Sequence, residues 1–227
     1  MIDKILQYDC YLFDLDGTLI NTEPLHHMAY EVMANRLGSK LGWDFDEYLS
    51  YALVSRNHLF EKIYEKCPEL ALIESDPERL RQKKIAVYEE LFQTNKPQFM
   101  PGVEDFLDIL KKLNKQVAIV TNSPRKHVEK FIHLGLKDRF EMIITIDDFT
   151  YPKPSNASYL HALTKLQKQP HQAVIFEDSL KGVQAAIGAN VDVLLIAKKG
   201  YKDKSQIPDQ IPSVESFTEL NLKILNS

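Results

Sequence analysis

The chain has 227 residues, 44% hydrophobic and 26% charged, which is enough for a sizeable core, and its formal charge of −4 gives no general attraction to nucleic acid or anionic membrane. Cys10 and Cys67 are too few for a disulfide framework or a cysteine zinc site. The first residues, MIDKILQYDCYLFD, lack a signal-peptide core, and no window nears the roughly 18 apolar residues of a membrane span, so a cytoplasmic protein is expected.

The first apolar run, YLF, ends at Asp14 and is followed by LDGTLINTEPLH. The next stretch, roughly Asn21 to Gln98, has no β-rich run but carries helical spacing in PLHHMAYEVMANRLG, NHLFEKIYEKC and DPERLRQKKIAVYEELFQ. About 75 residues is too long for a plain crossover, so an all-helical insertion is expected over 21–97, with 1–20 and 98–227 as the core. Helix GVEDFLDILKKLN then leads to strand QVAIVT, ending at Thr121. Helix PRKHVEKFIHLG leads to strand EMIITI, ending at Asp147, and helix SNASYLHALTKLQ to strand AVIF, ending at Glu177. Helix SLKGVQAAIGA, a fifth strand DVLLIA and a short SV near Ser213 complete the pattern. Alternation of this kind predicts an α/β fold with a parallel sheet.

In open α/β sheets, ligands bind beyond the carboxyl ends of the strands. Those ends carry Asp14 and Asp16, then Thr121-Asn122-Ser123, then YPKP with Lys153, then Glu177-Asp178. Carboxylates gathered at one edge repel one another unless a hard cation neutralises them, and an oxygen-only set suits Mg²⁺. Lys153 and the donors after the second strand would suit phosphate oxygens, and a carboxylate can itself be the nucleophile. Each piece has an ordinary explanation. Asp16-Gly17 is a common turn pair, Asp178-Ser179 suits a helix start, and Thr-Asn-Ser before Pro124 reads as a cap. Their recurrence at four strand ends is what argues for a site.

DLDGT after an apolar strand, IVTNS, a KP lysine and FEDS, in that order, resemble the haloacid dehalogenase superfamily of phosphohydrolases. The insertion resembles that superfamily's helical cap of the first type, and the resemblance covers nearly the whole chain. It implies a Rossmann-like core with an inserted helical cap, and a Mg²⁺-dependent phosphatase. Asp14 would be the nucleophile that forms an aspartyl-phosphate, and Asp16 the general acid and base, lending its carbonyl to the metal. Thr121 and the amide of Asn122 would bind phosphate, Lys153 would pair with it and with Asp14, and Asp178 would be the metal's carboxylate ligand with Glu177 beside it. The substrate implied is a small phosphorylated metabolite, such as a sugar phosphate, taken by a monomer.

Within the superfamily the chain is most similar to the β-phosphoglucomutase-like group, which includes phosphatases. VSRNHLFEKI resembles its specificity loop, with Arg56 placed for a second phosphate or carboxylate, and Thr22, His26 and Lys84 match its hinge and cap residues. Ser123 and Arg125 would add substrate contacts. Pro124 stands where the mutase has a lysine, and Asn21 of INTEPLH where phosphatases have an acid; hydrolysis is the favoured outcome and the mutase its rival. A binding protein on the same scaffold would have no reason to keep the acid pair, the lysine and the distal acid together. KPSNASY departs from the usual KPxPDxY, so Ser155 or Asn156 is expected to cap the next helix.

Overall fold

The computed structural model describes residues 2–52, 55–197 and 207–220. Val54, at the head of the specificity-loop match, lies outside them, whereas Ser55 and Arg56 are described. The described residues divide into two compact units, one of 2–21, 98–197 and 207–220 and one of 22–97.

The first unit is built on a six-stranded sheet. Its strands are β1 (Cys10–Phe13), β2 (Gln116–Val120), β3 (Met142–Ile144), β4 (Ala173–Glu177), β5 (Asp192–Ile196) and β6 (Ser213–Val214), in the order β3-β2-β1-β4-β5-β6. Every neighbouring pair is parallel. β1 and β4 are buried along their whole length, which is why they read as unbroken apolar runs. Phe13 pairs with Ile119 of β2 and with Phe176 of β4, so Asp14, Val120 and Glu177 follow at one level. Beneath that level Phe13 stacks on Phe176, with ring centroids 4.7 Å apart, and both rings meet Phe106 and Phe217. This aromatic layer is the floor of the strand-end site.

The second unit is helical: α1 (Glu23–Arg36), α2 (Phe45–Ala52), α3 (Arg56–Lys66), α4 (Pro68–Ile73) and α5 (Pro77–Thr94). Pro77 at the first turn and the Asp76 carboxylate, which accepts from the Glu78 amide at 2.9 Å, start α5. Ser55 does the same for α3 by accepting from His58 N at 3.0 Å. No helix among the described residues is long and apolar enough to cross a membrane.

The remaining helices belong to the first unit: α6 (Val103–Lys112), α7 (Arg125–Val128), α8 (Leu136–Arg139), α9 (Ala157–Leu166) and α10 (Leu180–Gly188). Three details differ from the sequence reading. The third strand stops at Ile144 rather than Asp147, because Asp148 accepts from both the amide and the hydroxyl of Thr145 and turns the chain into a short 3-10 helix. The single helix expected over 124–135 breaks after Val128, where Phe131 leaves helical geometry while its ring is wholly buried. Ahead of α9, Ser155 Oγ accepts from Ala157 N at 3.3 Å, whereas the Asn156 side chain instead donates to Gly188 O at the end of α10.

Candidate active site

Asp14 and Thr121 each extend a strand ladder by one bond, Asp14 N to Phe176 O and Thr121 N to Ile144 O, both at 3.0 Å. They are therefore held as rigidly as the strands they end. Past Asp14 the chain turns tightly, Gly17 N donating to Ile20 O at 2.9 Å. Gly17 has φ +81°, and a Cβ there would lie 2.0 Å from Asp178 Oδ2. Glycine is thus required twice over, for the left-handed turn and for the close approach to Asp178.

Lys153 organises the three central strand ends. Its buried ammonium donates to Asp14 Oδ1 at 2.6 Å, to Val120 O at 2.7 Å and to Glu177 Oε1 at 2.6 Å. All three protons are used, one on each of β1, β2 and β4. The lysine reaches that position because Asn122 clasps its backbone: Lys153 N donates to Asn122 Oδ1 at 3.0 Å, and Asn122 Nδ2 donates to Lys153 O at 3.2 Å. The departure at KPSNASY leaves this clasp intact.

The electrostatics follow from burial. Desolvation pushes the Asp14 carboxyl up to about 7, against the pull of Lys153, with Glu177 and Asp16 adding to the rise. Burial works against the Lys153 ammonium, but Asp14 and Glu177 outweigh it and hold it above its ordinary range. Glu177 Oε1 also accepts from the buried Tyr159 hydroxyl at 2.6 Å, and Oε2 accepts from Ser179 Oγ at 3.2 Å. Burial, then the charge of Glu177, keeps that phenol well above its usual range and protonated. The Lys153 ammonium lies 4.8 Å from the centre of the Tyr159 ring.

Gly182 of α10 makes room for Glu177, since a Cβ there would lie 1.8 to 2.0 Å from the carboxylate. Gly182→Ala is expected to displace Glu177 and cost about 1–3 kcal/mol of stability, as overpacked sites do. Urea denaturation checks this; an unchanged midpoint would show that the carboxylate has somewhere else to go.

Asp16 is held by the segment that follows β2. Ser123 Oγ donates to its Oδ2 at 2.7 Å, and His127 Nε2 to its Oδ1 at 2.8 Å. Thr121 Oγ1 accepts from Ser123 N at 3.0 Å and shapes that loop. Arg125 turns to Asp148, 2.7 Å away. In the helical unit, Lys84 is buried, and its ammonium donates to His26 Nδ1 at 2.6 Å. Burial pushes it down to about 8, and the rings of Tyr30 and Tyr88 flank it at 4.9 and 5.2 Å. His26 stacks on Tyr88, Thr22 is buried ahead of α1, and Arg56 is exposed in the first turn of α3.

Tyr159 and His127 were not singled out by sequence reasoning. Tyr159 left a faint signal, a phenol on the apolar face of α9 that has to place its hydroxyl somewhere. His127, inside a run of basic residues, left none.

Asp14, Glu177 and Asp178 can each bring a carboxylate oxygen within 4.8 Å of the others. A donor set made only of oxygen, around a buried carboxyl whose pKa is raised by desolvation, fits Mg²⁺. With Glu177 bound by Lys153, Tyr159 and Ser179, Asp14 and Asp178 are the carboxylates best suited to hold the ion.

The model of the haloacid dehalogenase-like hydrolases matches residues 11–196. The chain belongs to the haloacid dehalogenase-like hydrolases. This hydrolase is 29% identical over 185 residues to the phosphorylated carbohydrates phosphatase of Thermotoga maritima, covering 81% of this chain and 82% of that one. It is 30% identical over 193 residues to the fructose-1-phosphate phosphatase YqaB of Escherichia coli, covering 83% and 96%. Among solved structures it resembles CbbY from Rhodobacter sphaeroides in complex with phosphate, with a TM-score of 0.67 and 26% identity over 94% of this chain and 96% of that one. The hydrolase is a phosphatase of this family, with the family's parallel-sheet core and helical insertion.

Proposed function

We propose that the protein is a Mg²⁺-dependent phosphatase of small sugar phosphates that works through an aspartyl-phosphate. The observation that carries this reading is the pair of environments given to two carboxylates two residues apart. Asp14 is buried against Lys153, whereas Asp16 is held by a hydroxyl and an imidazole. The lysine fixes Asp14 by one oxygen and leaves the other for attack, while Asp16 is tied to a separate segment and is left to move the proton.

Asp14 Oδ2, the oxygen Lys153 does not hold, attacks phosphorus, and the ester P–O bond breaks as the Asp14–phosphorus bond forms. Asp16 gives its proton to the departing alkoxide oxygen. It then takes a proton from the water that attacks the aspartyl-phosphate, releasing inorganic phosphate and restoring Asp14. Lys153 holds Asp14 in line, and Thr121 and the Asn122 amide steady the phosphoryl oxygens. Mg²⁺, when held by Asp14, Asp178 and the Asp16 carbonyl, supplies the positive charge that lets the carboxylates and a phosphate share one site.

The sugar-phosphate assignment is supported by the relatives from Thermotoga maritima and Escherichia coli, whose names state such substrates. The insertion residues Arg56, His26 and Lys84 are the ones to which we assign discrimination among esters. The pairing of Arg125 with Asp148 supports hydrolysis over mutase chemistry, since a mutase would need a cation here to grip a second phosphate.

The test is a panel of fructose 1-phosphate, glucose 6-phosphate, β-glucose 1-phosphate, phosphoglycolate, nucleotides and pyrophosphate, scored for phosphate release and isomerisation. Phosphate release from the hexose phosphates with Mg²⁺, silenced by EDTA and restored by Mg²⁺, is expected. Conversion of β-glucose 1-phosphate to glucose 6-phosphate without phosphate release would overturn hydrolysis, and full activity in EDTA would overturn the metal.

A further inference from the structure

The carboxylate of Asp16 is gripped on both oxygens by one segment of chain, the loop and short helix that follow β2. Ser123 supplies one donor at 2.7 Å and His127 the other at 2.8 Å. Ser123 follows Thr121 closely and belongs to the motif already described. His127 does not: it is four residues further on, and its ring is itself set in place.

Two contacts set it. Its backbone amide donates to Pro124 O at 2.8 Å, which closes the first turn of α7. Its ring stands edge-on to Phe131, with centroids 5.1 Å apart and an interplanar angle of 80°. Phe131 is wholly buried, and it is the residue at which the helix breaks. The break therefore places Phe131 where its ring fixes the plane of the imidazole, and that plane aims Nε2 at Asp16 Oδ1.

We infer that His127 is a positioning residue for Asp16, holding the orientation from which the acid reaches the leaving-group oxygen. Asp16 lies past the end of β1, at the entrance to the turn through Gly17, and its side chain has two rotatable bonds. A single hydroxyl donor would let the carboxylate pivot about that contact; a second donor on the other oxygen opposes the pivot. Misplacing a proton donor by a fraction of an ångström weakens transfer steeply, so the imidazole's contribution falls on the step in which the alcohol departs.

This inference rests on the phosphatase reading above, and leaving-group chemistry separates the two. The ratio kcat/KM covers the reaction only up to departure of the leaving group. Fructose 1-phosphate expels an alkoxide and needs the proton; 4-nitrophenyl phosphate expels a phenolate and does not. With His127→Ala, kcat/KM for fructose 1-phosphate is expected to fall about 10- to 100-fold, against a fall of less than about threefold for 4-nitrophenyl phosphate. His127→Gln, whose side-chain amide offers a donor near the place of Nε2, is expected to recover much of the loss and guards against a misfolded alanine variant.

Equal losses on the two esters, or no loss on fructose 1-phosphate, would overturn the positioning role while leaving the phosphatase reading in place. A wild-type enzyme idle on both esters in Mg²⁺ would refute that reading and the inference with it.

Discussion

Asp14→Asn is expected to abolish phosphate release while the protein keeps its fold. An amide oxygen is too poor a nucleophile to form the covalent intermediate, and loss of a group that acts as one unit with its neighbours costs at least about 10⁴-fold in turnover. The fold is spared for a reason specific to this site. Burial already pushes the Asp14 carboxyl up to about 7, so a neutral group of the same shape is well tolerated there. The amide oxygen of the variant would still accept from Lys153, whose charge keeps Glu177 as its partner. Single-turnover assays and thermal melts check both halves: phosphate release like that of wild type would remove Asp14 from the chemistry, and a collapsed melt would show that its charge is structural.

Lys153→Met is expected to damage both turnover and stability. The thioether chain fills the space of the lysine stem but leaves Asp14 and Glu177 facing each other without the cation that joins them. Removing one member of a buried ionic cluster costs about 3–5 kcal/mol. In a chain of this length that is a fall in Tm of about 10 °C. Turnover is expected to fall about 10³-fold, since the charge that orients Asp14 and faces the phosphoryl group is gone.

The loss of stability also has a direction in pH. With the ammonium removed, the folded-state pKa of the Asp14 carboxyl rises further above its unfolded value, and a raised acid destabilises the fold as pH climbs towards it. The Asp14 carboxyl stands at about 7 even with Lys153 present. The deficit should therefore be larger at pH 8 than at pH 6. Urea denaturation at the two values checks this; equal deficits would show that the lysine stabilises by packing alone.

Much of the architecture is legible in the residues because of how parallel strands are buried. A strand covered on both faces has to be apolar without interruption, so the first polar residue after each run marks a strand end and hence the ligand-binding edge. That reasoning reaches Asp14, Thr121 and Glu177 directly. At Ile144 the strand stops although the apolar run continues to Ile146, because Asp148 folds back on Thr145. Helical spacing likewise persists over 124–135, although the backbone leaves helical geometry at the buried Phe131. Ser155, one residue ahead of the Asn156 cap position, meets the Ala157 amide, a contact legible in the sequence because it spans only two residues.

Long-range pairings carried no such mark. Ser123 and His127 lie 107 and 111 residues from the carboxylate they hold, and Tyr159 meets Glu177 from a different helix. In the helical unit, nothing about Lys84 in a charged helix announces that it is buried against His26, 58 residues away. By itself the sequence determined the fold class, the helical insertion and the acids, hydroxyl and lysine at the strand ends, because burial periodicity and chain length are local properties. Only the tertiary structure decided which of those groups share a proton or a charge. Lys153 joins β1, β2 and β4, Glu177 belongs to the lysine, and His127 to Asp16, because strand register and helix packing set distances between residues that no local pattern relates.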